Sequence, residues 1–154
     1  MSYESRIERA ENGDILLRLP EHERELLRGI ALSIRERLAA GDDDPALQRL
    51  FPPAYAEPER EAEYRELTRA QLLTGRERAL DLLAATVDRD SLAPEEADSW
   101  LRALNDMRLV LGTALDVEED LDWGAIERDS PNAPEYAMYG YLSWIQEQLV
   151  DATA

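Results

Sequence analysis

The 154 residues carry 34 acidic side chains against 17 basic ones, for a net charge of −17, with 44% hydrophobic residues and no cysteine. A field of that sign repels DNA, RNA and anionic lipid, and the lack of thiols excludes disulfides, Cys-ligated zinc, iron–sulfur clusters and thiol switches. Every basic residue is Arg, so mechanisms that need a Lys Schiff base or a P-loop Lys are excluded as well.

Length and hydrophobic content predict one domain with a single core across residues 1–154. The N-terminus has no apolar leader-like run, and no apolar stretch approaches the roughly 20 residues of a spanning helix. The chain is therefore expected to be soluble and cytoplasmic, with no membrane partner.

In chain order, residues 5–19 read as a β-hairpin turning at Asn12-Gly13, a pair that favours positive φ. Pro20 opens a helix to about residue 40, with Glu21, Glu23 and Glu25 in its first turns and Leu27, Ile30, Ala31, Ile34 and Leu38 as its apolar stripe. Asp44-Pro45 starts a short helix over 45–50 that Pro52-Pro53 stops. A helix follows over 59–88, with Thr68 as a possible internal cap and Leu72, Leu73, Ala79, Leu80, Leu83 and Val87 on one face.

Asp90-Ser91-Leu92-Ala93-Pro94-Glu95-Glu96 signals the start of the next helix, over 94–115. Its stripe is Trp100, Leu104, Met107, Leu111 and Leu115, and the wheel turns Arg108 inward and Asp106 outward. Residues 116–134 read as a long acidic loop in which Trp123 folds back over the helices. The last helix, 134–150, has two apolar faces: Met138, Leu142, Ile145 and Leu149 on one, Tyr136, Gly140 and Trp144 on the other. The second face is a candidate interface, covered either by the loop or by a partner.

Two constellations carry possible chemistry. Arg76, Asn105 and Arg108, with Glu147 from the last helix, form a candidate site: Arg forks bind carboxylate and phosphate in bidentate geometry. The favoured reading is structural, an ion-pair network in which Asp81 or Glu147 satisfies the two Arg and Arg102 pairs with Asp106 on the outer face. The second, Asp116, Glu118, Asp120, Asp122 and Glu127, has calcium-loop spacing, but Leu121 stands where such a loop needs Gly, so the segment reads as a solvated acidic loop. His22, in a Glu-rich first turn, reads as exposed surface. No catalytic residue, metal site or cofactor is called for.

Arg49-Leu50-Phe51-Pro52-Pro53-Ala54-Tyr55, Leu67-Thr68-Arg69, Leu72-Leu73-Thr74-Gly75-Arg76, Trp100 through Thr113, and Tyr139 with Leu142, Trp144, Gln146-Glu147 and Leu149-Val150 stand in this order along the chain. On these segments, from about Leu19 to Val150, the chain resembles the actinobacterial domain-of-unknown-function family numbered twenty-seventeen, often encoded beside an adaptor of the Clp protease. The resemblance implies no established activity. A redox-linked transcriptional role has been entertained for relatives with cysteine pairs, a pattern this chain lacks, and Ala114 stands where a basic residue is expected.

The expectation is a mainly α fold: a helical bundle with a short N-terminal hairpin. Its function reads as non-enzymatic regulation or adaptation through protein contacts, as a homodimer and with a further protein partner, nucleic acid being disfavoured by charge. The alternatives are a transcription-linked stress regulator contacting a sigma factor or DNA, and an enzyme using the Asn105, Asp106, Arg108 pocket.

Overall fold

The computed structural model describes residues 5–40, 58–114 and 133–154. The helix expected over 45–50, the acidic calcium-like loop and Trp123 lie outside them. The described elements run β1 (Ile7–Arg9), β2 (Ile15–Leu17), α1 (Glu21–Ala40), α2 (Pro58–Thr86), β3 (Ser91–Leu92), α3 (Pro94–Ala114) and α4 (Ala133–Thr153). The fold is mainly α with an N-terminal antiparallel hairpin.

The hairpin turns where Asn12-Gly13 places it, but through a loop of three residues. Gly13 sits at φ 91°, a conformation that a side chain disfavours. The Ala10 carbonyl accepts from Gly13 N at 3.0 Å, and Asn12 Oδ1 accepts from Asp14 N at 3.0 Å. Alternation then buries Ile7, Ile15 and Leu17.

A third strand joins the sheet: Ile15 pairs with Leu92 and Leu16 with Ser91, in the order β1-β2-β3. The segment read as a helix start thus does two jobs. Ser91-Leu92 pairs with the hairpin, and α3 begins at Pro94. Glu96 reaches back to the Ala93 amide at 2.9 Å, one half of a capping box. That bond, helped by Arg89, holds the Glu96 carboxyl below its ordinary value.

α2 is one helix from Pro58 to Thr86, with no break at Thr68. Its second half enters the core through Ala79, Leu80 and Leu83, and Val87 follows directly after its end. Arg35 of α1 grips this half, with Nη2 2.7 Å from Glu77 Oε2 and Nε 3.1 Å from Asp81 Oδ1. α3 packs between α2 and α4. Trp100 is fully buried, and its indole N–H donates to Thr86 Oγ1 at 2.8 Å, so its one polar atom is satisfied inside the core.

Arg24 is buried on α1 at 8% exposure, and among the described residues its guanidinium donates only to main-chain carbonyls. Nε reaches Leu19 O at 2.7 Å, Nη1 reaches Val87 O and Arg89 O, each at 2.8 Å, and Nη2 reaches Leu17 O at 3.3 Å. These carbonyls lie at the end of β2 and in the connection from α2 to β3. One side chain therefore joins the helical layer to the sheet on two sides.

Substituting Arg24→Met keeps the length of the stem and removes every donor, leaving buried carbonyls unpaired. The expected loss is about 3–5 kcal/mol in urea denaturation. Arg24→Lys, a point charge without the planar fork, should recover only part of it. A loss for the Met variant under about 1 kcal/mol would show the carbonyls to be satisfied in some other way.

Candidate functional site

The polar cluster within α3 resolves differently from its wheel. Asp106 is buried at 3% exposure and Arg108 only half-buried. The reason is packing on both flanks. Asp106 lies three residues from Ala103 and four from Val110, both buried, on a part of the helix that α2 covers. Trp100, Leu104 and Met107 mark only the middle of the covered arc.

Asp106 is ion-paired with Arg76 of α2 through Nη1 and Oδ1. Burial pushes the Asp106 carboxyl above its ordinary value, and the hydrogen bond and charge of Arg76 offset part of that rise. The network is therefore Arg76 with Asp106. The roles expected of Arg102, Asp81 and Glu147 are corrected: Arg102 and Glu147 are exposed, and Asp81 pairs with Arg35. Asn105 is half-buried. Arg108 Nε is shielded from solvent and makes no hydrogen bond among the described residues.

Four residues beyond Arg108, Gly112 lets the Tyr139 ring of α4 come close: a Cβ there would meet Tyr139 Cε2 at 2.9 Å. Tyr136, Gly140 and Trp144, the candidate interface, are all half-buried. The Arg6 guanidinium lies 5.6 Å from the centre of the Trp144 ring, and Tyr141 tilts against that ring at 6.1 Å and 53°. Part of the second apolar face of α4 is thus covered by the chain entering β1.

This corner holds a second network that the sequence reading missed. Arg6 Nε lies 3.2 Å from both oxygens of Glu23, and the Tyr141 hydroxyl donates to Glu23 Oε1 at 2.8 Å. Glu23 is buried at 7% exposure, although it stands next to His22, which reads as exposed surface. Burial, and then the Glu23 hydrogen bond, push the Tyr141 phenol well above its ordinary range. His22, beside it, is exposed, with its side chain at 81%.

Nearby, Gln148 Oε1 of α4 accepts from Arg6 N at 2.7 Å and Ile7 N at 3.3 Å, closing the outer edge of β1. Among the described residues no group of three or more His, Cys, Asp or Glu is placed to hold a metal ion, and no helix is long and apolar enough to cross a membrane.

The model of the domain-of-unknown-function family DUF2017 matches residues 4–153. A protein of Mycobacterium leprae (strain TN) named "Putative oxidative stress regulator AosR" is 26% identical over 149 residues, which covers 85% of this chain. The chain spans 66% of that relative's length. No solved structure matches.

The Arg76–Asp106 pair has a pH signature. The folded pKa of Asp106 is raised, so its contribution to stability is complete below the unfolded value, about 3.9, and is lost as pH rises through the folded value. Glu96 is shifted the other way: its contribution is present above the unfolded value and lost as pH falls through the folded one. At neutral pH, Arg76→Ala strands a buried carboxylate and is expected to cost about 2–4 kcal/mol. Asp106→Asn, which is isosteric and neutral, should cost less and should remove the Asp106 part of the pH dependence. Denaturation midpoints across the acid range measure both, and equal costs for the two variants would refute the asymmetry.

Proposed function

We propose, from the premise that this chain belongs to the DUF2017 family, that it is a non-enzymatic regulatory protein acting through contacts with other proteins. The observation that carries the reading is its distant likeness to a relative whose name describes an oxidative stress regulator. The use made of the buried polar side chains supports it. Arg24 is spent on main-chain carbonyls, Glu23 on Arg6 and Tyr141, and Asp106 on Arg76.

A chain without cysteine cannot sense oxidants through its own thiols. In this reading the oxidant is sensed elsewhere, and this chain relays the state by binding. The net charge of −17 favours a basic partner surface and a salt-sensitive encounter. Direct contact with DNA is the second reading, and the same charge disfavours it.

A strain lacking the gene, challenged with peroxide and profiled for transcripts, is expected to show an altered stress response that the wild-type gene restores. Diamide, which acts on thiols, should leave the purified chain's circular dichroism unchanged. An unaltered transcript response in the deletion strain would overturn the regulatory reading. A salt-sensitive gel shift with DNA would move it to the second one.

A further inference from the structure

α1 differs from the other helices in charge. It has four acids, Glu21, Glu23, Glu25 and Glu36, and four bases, Arg24, Arg28, Arg35 and Arg37, so it is neutral in a molecule whose net charge is −17. α4 has three acids and no base. Two copies of so acidic a chain repel one another least where their α1 helices meet.

The outer face of α1 also has relief. A cleft of about 350 Å³ runs along it, walled by Leu26 and Ile30, by Leu111 of α3 and by Met138 of α4, with Ile34 and Val110 at its floor. Gly29 and Ser33 open its side, and nothing stands within 4 Å of where a Gly29 Cβ would be. Beside them Leu32 is exposed at 49%, one of two large hydrophobics so exposed among the described residues.

Three pairs of α1 residues are placed symmetrically about the level of Ala31. Gly29 and Ser33 flank it by two residues, Ile30 and Leu32 by one, and Glu25 and Arg37 by six. We propose that α1 is the contact surface of a homodimer, in which the α1 helices of two copies cross antiparallel about a twofold axis at Ala31. Gly29 then meets Ser33 of the second copy, Leu32 meets Ile30, and Glu25 meets Arg37.

An isologous interface requires that a surface complement itself, and on reversal the Glu25 and Arg37 charges do so. Gly29 and Ser33 permit the close approach, and Leu32 supplies a knob for the cleft of the second copy. Arg37 has a contact within its own chain, but a guanidinium carries five donors and can serve a second acceptor. The dimer rests on the reading of the chain as one that works through protein contacts, and it gives that reading a first partner, a second copy of itself.

Light scattering after gel filtration, over a concentration series, tests the surface. The wild type is expected at twice the 17.5 kDa chain mass. Gly29→Gln, Glu25→Arg and Arg37→Glu should each run at the single-chain mass with unchanged circular dichroism. Since the Glu25→Arg and Arg37→Glu surfaces complement one another, their equimolar mixture should return to the doubled mass.

A wild-type monomer throughout the series would overturn the inference, and so would a mixture that stays monomeric. A wild-type dimer indifferent to all three substitutions would place the contact elsewhere on the chain. None of these outcomes bears on the peroxide response, which decides the regulatory reading separately.

Discussion

The fold turns on a cation that has no paired anion among the described residues. Arg24 lies inside the protein with its guanidinium surrounded by main-chain carbonyls, two from the sequence just before α1 and two from the turn that follows α2. Carbonyl dipoles replace the water that the charge has lost, and the charge replaces the partners that irregular backbone has lost. A neutral donor of the same shape would do less, because hydrogen bonds from a charged group are roughly twice as strong. β3 then forms where the same turn delivers it, beside β2, with the Leu17 amide donating to Asp90 O at 2.8 Å.

The other buried charges serve similar ends. Glu23 meets Arg6 and Tyr141 where the hairpin, α1 and α4 converge, and Asp106 meets Arg76 where α2 crosses α3. The first network ties α4 to elements more than 100 residues earlier and the second ties two successive helices, and each stands beside an apolar core made by Trp100, Leu83, Leu104, Met107 and Leu142. The apolar core supplies bulk stabilisation, while these directional contacts specify which helix lies against which.

Much of this was legible in the residues. The apolar stripe of α1, the Pro94 start of α3 and the Asn12-Gly13 turn are local signals, and the elements stand where those signals place them. Signals that depend on distant neighbours were not legible. β3 is two residues long and exists only as a pairing with the hairpin. Asp106 and Arg108 exchange their expected exposures because a wheel centred on one stripe omits the flank that α2 covers.

Arg24 was the least readable of all. Its partners are carbonyl oxygens, which every residue has, so no spacing in the sequence reveals them. Of the candidate site, Arg76 keeps a structural partner, though not one of those expected. Trp144 proves to be partly sheltered by Arg6, which lies far away at the other end of the chain.

The Gln148 amide, finally, has a bearing on the order of events during synthesis. It guards the free edge of a strand made more than 140 residues earlier, bonding across separations of 141 and 142 residues. Until β3 is made both edges of the hairpin are unguarded, and until α4 is made β1 keeps an open edge and Arg6 has no aromatic cover. An open edge of that kind is a template for strand pairing with neighbouring chains. The protection of the first strand is thus complete only once α4 has been made and has docked.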